Sequence, residues 1–366
     1  MKKLLTILFS MLFFIASAEE KSLKANFKDG NPNIKSINAM TFGPEGILFI
    51  GDSKSASIVA LDTKDAKATE APAKIEMKNV DVAIAAALGT TADKISIQDM
   101  AVNPLSNVPY FAVHNQDGTP VLLKLVGDKI EWVPLDKVSY SSRGIENAYA
   151  EDYKDDRGRA QRVWTVSDIE FKNGKVMVTG LSNAEFSSTF RSMAFPFGKS
   201  QDDASLEIYH AAHGRFETYA PVKTFTTSTI NGKDYLVASY TCTPLVLFLM
   251  DELKGGKHIK GRTVAEFGAG NTPLDMIVID KGGESFLLMA NSNRSVMKVR
   301  FSDIAGFEGS LTEPIEEPGK TGGVNFIALP MVNVVQLDKL GDKSFVMLKR
   351  EANGDLNLIT GNDFWL

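Results

Sequence analysis

The stretch from residue 37 to residue 62, INAMTFGPEGILFIGDSKSASIVALD, contains three short apolar runs separated by two turns. The runs INAMTF, ILFIGD and IVALD are rich in Ile, Val, Leu and Phe, which favour strands, whereas GPEG and SKSAS consist of residues that favour turns. Clear amphipathic helices are scarce elsewhere, and the best candidate is a short one after Asp81 that ends at Gly89. The stretch therefore predicts three consecutive strands joined by tight turns.

The same pattern recurs along the chain. Each repeat opens with a short strand that has a polar residue among apolar ones, and two further strands follow. The opening strands align at steps of 61, 69, 56, 51 and 61 residues on Asn38, Asp99, Asp168, Thr224, Asp275 and Gln336. Repeats of this length with three or four strands each are typical of β-propellers. The sequence predicts an all-β, six-bladed β-propeller that forms a single domain over residues 19–366.

The ends of the repeat array predict how the ring closes. The sixth repeat runs out of chain after its third strand, while residues 22–29, SLKANFKD, resemble a spare strand before the first repeat. An N-terminal strand that completes the last blade would remove an exposed sheet edge. Two insertions interrupt the pattern. The charge-dense residues 143–163 predict a surface loop or a short helix, and residues 308–328, rich in Glu, Pro and Gly, predict a surface loop.

The first eighteen residues are typical of an export signal. Lys2 and Lys3 precede an apolar run, Leu4–Ile15, and the small residues Ala16–Ala18 follow it. The run is too short for a permanent membrane anchor, and no later run is long enough to predict a membrane span. We therefore expect cleavage after Ala18 and a periplasmic or secreted protein.

Charge and cysteine content limit the partners and the chemistry. The formal net charge of −5 becomes −7 when the signal peptide with Lys2 and Lys3 is removed. A mildly acidic chain argues against nucleic acid as a partner, because phosphate binding needs clustered Lys and Arg. Cys242 is the single cysteine, so an intrachain disulfide is impossible. Its thiol is either a small buried apolar group or a ligand or reactive group.

The stretch from residue 37 to residue 62 also resembles one blade of the NHL and gluconolactonase-like (SMP-30-like, or senescence-marker-protein-like) propellers. The resemblance lies in the order of an inner strand, a Pro-acid-Gly turn, a strand ending in Gly51-Asp52, and a further strand. It implies a six-bladed propeller, in agreement with the repeat count. It also implies a divalent cation held by carboxylate and amide side chains, as in the lactonases of that group. The residues that could hold such a cation, with calcium as the metal, are Asp99, Asp168, Asp275 and Asn291. The three acids could instead accept hydrogen bonds from backbone N–H groups of adjacent blades.

Most of the histidines and the cysteine fall on one predicted face of the propeller. The loops that lead into the innermost strands and the loops between second and third strands share that face, at the mouth of the central channel. Three histidines and the cysteine lie in these loops: His114, His210, His213 and Cys242. Imidazole and thiolate are good ligands for copper and zinc. The sequence thus predicts a copper or zinc site, or a redox site, at the channel mouth.

Three functions stay open at this stage: a metal or redox protein, a divalent-cation-dependent lactonase-like hydrolase, and a non-catalytic scaffold for a small molecule or a partner protein. If the protein is an enzyme, Cys242 is also a candidate nucleophile with a histidine as its base. Arg191 and Arg294 are then the candidates for holding an oxyanion or a carboxylate. All three hypotheses place the functional residues on the same face.

Overall fold

The computed structural model describes residues 22–362 and Phe364. The predicted signal peptide, residues 1–18, lies outside the described residues. Six β-sheets surround a central channel that their innermost strands line. The prediction of an all-β, six-bladed propeller is confirmed. No helix in the described part of the chain is long and apolar enough to cross a membrane.

Strands and helices are numbered in chain order. The first third of the chain contains β1 (Lys28–Gly30), β2 (Ala39–Phe42), β3 (Ile47–Asp52), β4 (Ser57–Asp62), β5 (Glu76–Met77), α1 (Val80–Ala87), β6 (Ile95–Val102), β7 (Pro109–Asn115), β8 (Pro120–Val126), β9 (Lys129–Val133) and β10 (Val138–Gly144). The middle contains β11 (Asp168–Lys172), β12 (Lys175–Leu181), β13 (Ser188–Ala194), β14 (Asp202–His210), β15 (Arg215–Glu217), β16 (Thr224–Ile230), β17 (Lys233–Ser239), β18 (Pro244–Leu249), β19 (Lys257–Lys260) and β20 (Arg262–Glu266). The last part contains β21 (Pro273–Lys281), β22 (Glu284–Asn291), β23 (Met297–Arg300), α2 (Phe301–Gly306), β24 (Gly322–Gly323), β25 (Ile327–Ala328), β26 (Val334–Leu340), β27 (Ser344–Arg350) and β28 (Leu356–Asn362).

Each blade is one sheet, counted outward from its inner strand. Blade 1 is β2-β3-β4-β10-β1, blade 2 is β6-β7-β8-β9, and blade 3 is β11-β12-β13-β14. Blade 4 is β16-β17-β18-β20-β24, blade 5 is β21-β22-β23-β25, and blade 6 is β26-β27-β28-β5. In blade 3, β14 also pairs with β15 in antiparallel register and with β19 in parallel register.

The order of the blades around the ring departs from their order in the chain. The apolar core consists of clusters between neighbouring blades, and these join blade 2 to blades 6 and 1, and blade 1 to blade 3. Further clusters join blades 3 and 4, 4 and 5, and 5 and 6. The ring therefore runs 2–1–3–4–5–6. After β4 the chain crosses to the outer edge of blade 6, builds blade 2, and returns with β10 to complete blade 1.

This blade order corrects the predicted closure of the ring. The segment expected to complete the last blade ends in β1, which pairs instead with β10 at the outer edge of blade 1. Blade 6 is completed by β5, whose Glu76 and Met77 pair with Ile359 and Leu358 of β28. The physical reason is that the connection from blade 1 to blade 2 passes the open edge of blade 6.

Both insertions have structural roles beyond the surface loops that the sequence predicts. Residues 143–163 start at the end of β10 and form one wall of the cavity described below. Residues 308–328 supply β24 and β25 as the outer strands of blades 4 and 5. In the same insertion, the N–H of Ile315 donates to the carbonyl of Ala211 at 2.9 Å, and Ala211 follows the last residue of β14.

Candidate metal centre

A single tight turn places His210 and His213 side by side. β14 ends at His210, the chain makes one 3-10 turn over Ala211–His213, and Gly214 then reverses it into β15. Gly214 has a φ of 62°, in the left-handed region that glycine adopts at no steric cost. Residues three apart in a 3-10 turn face the same way, and the two imidazole centroids are 3.8 Å apart. His210 is buried, whereas the side chain of His213 is 40% exposed.

One carboxylate holds both imidazoles. Oε2 of Glu217 lies 2.9 Å from Nδ1 of His210, and Oε1 lies 2.8 Å from Nδ1 of His213. An ionised carboxylate only accepts hydrogen bonds, so both Nδ1 atoms carry a proton. Arg215 and Tyr219 donate to Oε1 as well, each at 3.1 Å. Burial acts to raise the pKa of Glu217, but the hydrogen bonds and charges of the two histidines outweigh it and lower the pKa to about 2.

Cys242 reaches the same place from the neighbouring blade 4. It lies in the turn between β17 and β18, where Cys242 and Thr243 have φ values of 67° and 61°. Two consecutive left-handed residues make a tight hairpin turn, and they are unfavourable for a β-branched residue such as threonine. The turn is held by hydrogen bonds from the Cys242 N–H to the Asn271 carbonyl, 2.7 Å, and from the Thr243 hydroxyl to the Gly268 carbonyl, 3.1 Å. Backbone strain of this kind often occurs at functional sites.

The three side chains converge. One ligand atom from each of His210, His213 and Cys242 lies within 4.8 Å of the other two, and within the described residues this is the group that could hold a metal. Because both Nδ1 atoms face Glu217, the Nε2 atoms are the ones available to an ion. Nε2 of His210 is buried without a hydrogen-bond partner. Metal–ligand bonds of about 2.0 to 2.3 Å put tetrahedral ligands about 3.3 to 3.8 Å apart, so an ion would draw these atoms together by up to about 1.5 Å.

A second carboxyl group lies behind His210. Glu266, at the end of β20, is fully buried, and its Oε2 lies 3.9 Å from Nε2 of His210. This oxygen accepts the N–H of Ala212 at 3.3 Å, while Oε1 has no hydrogen-bond partner. Burial raises the pKa of Glu266 to about 7, against the backbone hydrogen bonds from Ala212 and Gly268. The group can therefore gain or lose a proton near neutral pH.

The three converging residues open into a cavity of about 830 Å³. The insertion at 143–163 forms one wall, where the rings of Tyr149 and Tyr153 stack with centroids 4.6 Å apart. Trp164 and Lys223, which precede the inner strands of blades 3 and 4, line the cavity on another side. A small molecule could thus approach the two histidines and the thiol from the solvent.

His114 does not join the group, although the sequence predicted it as a fourth ligand. It lies on β7 in blade 2, and its Nε2 accepts the backbone N–H of Ile37 from blade 1 at 3.0 Å. Burial and the charge of Lys54 lower the pKa of His114, which keeps the ring neutral as an acceptor. The reason for the difference is the blade order, because blade 1 lies between blade 2 and blade 3.

The two arginines also lie away from the cavity. Arg191 is fully buried on β13 and donates to the carbonyls of Thr165 at 3.2 Å and Leu181 at 2.9 Å. Burial lowers its pKa to about 10. Arg294 donates to the carbonyl of Gly319, in the insertion at 308–328, at 3.4 Å. Both side chains bind backbone carbonyls, which corrects the expectation that they hold an oxyanion or a carboxylate at the site.

The inner-strand acids meet at the central channel, but their oxygens are used by backbone N–H groups. Each accepts one N–H from its own strand and one from the inner strand of an adjacent blade, at 2.6 to 2.8 Å: Asp99 from Met100 and Met40, Asp168 from Ile169 and Phe225, and Asp275 from Met276 and Leu337. Asn291 is apart from them and donates to the carbonyls of Met289 and Ser295. The three acids therefore join neighbouring blades through backbone hydrogen bonds. This is the structural role that the sequence left open beside a calcium site.

Sequence reasoning did not include the two carboxylates of the site among its candidates. Glu217 follows His210 and His213 in the chain by seven and four residues, and this proximity is the one signal that pointed to it. Glu266 ends an ordinary apolar strand, and no pattern in the sequence distinguishes it. Only the packing of blade 4 against blade 3 brings it behind His210.

Comparisons with known proteins add little about function. No protein-family model matches the sequence, and no curated protein sequence matches it. Among solved structures, the chain is similar to a putative oxidoreductase (glucose dehydrogenase) from Thermus thermophilus, at 11% identity and a TM-score of 0.37, over 92% of this chain and 99% of that one. It is also similar to the PQQ-bound aldose sugar dehydrogenase of Streptomyces coelicolor, at 11% identity and a TM-score of 0.35, over 91% and 96% of the two chains. A third is the β-propeller domain of Cps50 (Swd1) from Myceliophthora thermophila, at 10% identity and a TM-score of 0.38, over 88% and 82%. Likenesses this distant carry no argument about activity, and the fold rests on the six sheets themselves.

Proposed function

We propose that the protein is an exported metalloprotein that binds one copper or zinc ion through Nε2 of His210, Nε2 of His213 and Sγ of Cys242. The observation that carries the proposal is the convergence of His210, His213 and Cys242, each of which offers one ligand atom within 4.8 Å of the other two. Among the described residues, the buried Nε2 of His210 has no hydrogen-bond partner. Nitrogen and sulfur donors of this kind suit copper and zinc better than calcium or magnesium.

The surrounding residues support this function. Glu217 fixes both imidazoles through Nδ1, which is the usual role of a carboxylate behind a histidine ligand, and it raises the basicity of Nε2. The ligands come from two neighbouring blades, so the packing of these blades in the propeller sets their spacing. The site is therefore preorganised, with His210 buried and the partly exposed His213 held through Nδ1 by the same carboxylate.

The number of ligands favours a reactive centre. Structural zinc sites are closed by four protein ligands, whereas catalytic and redox sites keep a position open for water or substrate. Here three ligands face a cavity of about 830 Å³. A bound ion would supply Lewis-acid chemistry if it is zinc or one-electron transfer if it is copper. Glu266 provides a buried carboxyl group beside His210 that can hold a proton near neutral pH.

Elemental analysis of the full chain purified from the cell envelope tests the proposal. We expect about one copper or zinc ion per chain, and its loss in His210→Ala and Cys242→Ser. His114→Gln is the matched control, because this histidine lies on the same face but outside the group, and it should retain the metal. If calcium is found and these variants keep it, or if the folded protein binds neither copper nor zinc when either is added, the proposal is wrong.

A further inference from the structure

The cavity beside the proposed metal ligands contains a lysine that has no anionic partner among the residues that the structure describes. Lys223 lines the cavity, and its ammonium lies 3.7 Å from the centroid of the Trp164 ring. Burial lowers the pKa of Lys223 to about 8, and no carboxylate contributes to this shift. A partly buried ammonium that faces a cavity without a counter-ion is costly, and an anion in the cavity would offset that cost.

The other charged groups of the cavity largely satisfy one another. Asp155 pairs with Arg159, with Oδ2 2.7 Å from Nε and 2.6 Å from a terminal nitrogen of the guanidinium. Glu217 is occupied by the two histidines, Arg215 and Tyr219. Arg157 also lines the cavity, and its charge acts on the nearby Tyr219. Apart from the exposed Asp156, the charged groups of the described lining that have no partner of opposite charge are thus cations.

Part of the wall of the same cavity is aromatic. Tyr149 and Tyr153 stack with their planes 10° apart, and the half-buried Trp164 lies under the ammonium of Lys223. Aromatic side chains offer large flat surfaces on which another ring can stack. A cavity of this volume, with the unpaired Lys223 and aromatic walls, has the composition expected for a small ligand with a flat apolar body and a negative group.

We propose that this cavity binds a small aromatic carboxylate, with the ammonium of Lys223 holding the carboxylate and the rings of Tyr149, Tyr153 and Trp164 packing against the aromatic body. The inference rests on the proposed metal centre for one feature only, the orientation that turns the far end of the ligand towards His210, His213 and Cys242. The carboxylate site itself depends on Lys223 and the cavity.

Binding of benzoate, with the neutral benzamide as a probe of the same shape, tests this inference on the full chain. We expect benzoate to bind, to shift the fluorescence of Trp164, and to bind about tenfold or more weakly to Lys223→Gln, since a charge-assisted hydrogen bond is lost. Lys223→Arg keeps the positive charge and should retain most of the affinity. Benzamide should bind weakly and equally to all three proteins, and Trp164→Phe should remove the change in fluorescence that benzoate causes.

The result would overturn the inference if benzoate does not bind, if benzamide binds as tightly, or if Lys223→Gln binds benzoate as well as the unaltered chain. Circular dichroism of each variant establishes that it has folded. Repeating the titration with His210→Ala separates this inference from the proposed function. Benzoate binding that survives in His210→Ala supports the carboxylate site whether or not the unaltered chain holds a metal, and metal binding without benzoate binding leaves only the metal centre.

Discussion

At the scale of single residues, Glu217 fixes the tautomer and the orientation of two imidazoles at once. Its two oxygens accept from the two Nδ1 atoms at 2.9 and 2.8 Å, and its pKa is lowered to about 2. The carboxylate is therefore ionised at any physiological pH and fixes the same tautomer in both rings. Without it, each ring could rotate or carry its proton on Nε2, and the ligand group would lose its preorganisation.

We expect Glu217→Gln to weaken zinc binding by about 10-fold to 100-fold. The amide has one accepting oxygen, so only one Nδ1–H keeps its acceptor, and the other ring meets an NH₂ group. A competition titration with a chromophoric chelator measures the change. Glu207→Gln is the matched control, because Glu207 also pairs with a histidine, His258 at 2.7 Å, but outside the ligand group. Equal zinc affinities for Glu217→Gln and the unaltered protein would contradict this role.

Some residues of the site could be predicted from the sequence and others could not. His210, His213 and Cys242 follow from the positions of loops in a repeating fold, because those loops must share a face. Arg191 shows the limit of this reasoning. A charged residue is expected at the surface, yet Arg191 is fully buried and bound to two backbone carbonyls. Its burial depends on contacts with Thr165 and Leu181, whose positions no local pattern reveals.

At the scale of strands, the acids of the inner strands join blades through backbone hydrogen bonds. Burial raises the pKa of Asp168 to about 6, although the N–H groups of Phe225 and Ile169 act against the rise. The sequence revealed the repeating polar position but not its partner, since a carboxylate beside a channel also suits a cation. The partner is known only once the neighbouring inner strand is in place.

The raised pKa of Asp168 gives a pH dependence of stability with a definite sign. Its pKa in the folded protein, about 6, lies above the ordinary value of 3.8, so between these values the folded state binds more protons than the unfolded state. The contribution of Asp168 to the free energy of unfolding is then greatest at low pH and falls as the pH rises through this window. We expect the difference in the free energy of unfolding between the unaltered protein and Asp168→Asn to decrease as the pH rises through that range. Urea titrations of both proteins at a series of pH values measure it.

Asp117→Asn provides the control for this pH dependence. The pKa of Asp117 is lowered by the hydrogen bonds that its carboxylate accepts from Thr119, so the corresponding difference should rise with pH over the range where Asp117 loses its proton. If the difference for Asp168→Asn also increases with pH, the carboxyl of Asp168 is stabilised in its charged form, and the assignment of burial as the dominant cause is wrong.

The short strand β5 completes blade 6 with only two paired residues, so side chains must help to hold it. The hydroxyl of Thr360 accepts the N–H of Ile75 at 2.7 Å and donates to its carbonyl at 2.8 Å. Thr360→Val keeps the shape but leaves both backbone groups of Ile75 without this partner. We expect a loss of about 1 to 2 kcal/mol in the free energy of unfolding and faster amide exchange in β28. Unchanged exchange in β28 would show that β5 does not depend on this contact.

At the scale of the whole molecule, the order of the blades is the feature that the sequence conceals. Every repeat has the same strand pattern, so its apolar faces can pack against any neighbour, and chain order is the natural expectation. The structure instead places blade 2 between blades 6 and 1. This single difference explains why β5 rather than β1 closes the ring, and why His114 lies one blade too far from His210 to share an ion with it.

The same ring geometry predicts that metal binding stabilises the whole propeller. His210 ends β14 of blade 3, His213 follows in the next turn, and Cys242 lies between β17 and β18 of blade 4, so one ion would link two adjacent blades. An ion that binds only the folded state adds about 2.7 kcal/mol when its free concentration is a hundred times the Kd. We expect zinc to raise the melting temperature of the unaltered protein and of His114→Gln, and a chelator to reverse the rise. Cys242→Ser should show no rise, because serine does not replace the thiolate and the link to blade 4 is lost. A full rise in Cys242→Ser would mean that zinc binds elsewhere and that the two blades are not joined through it.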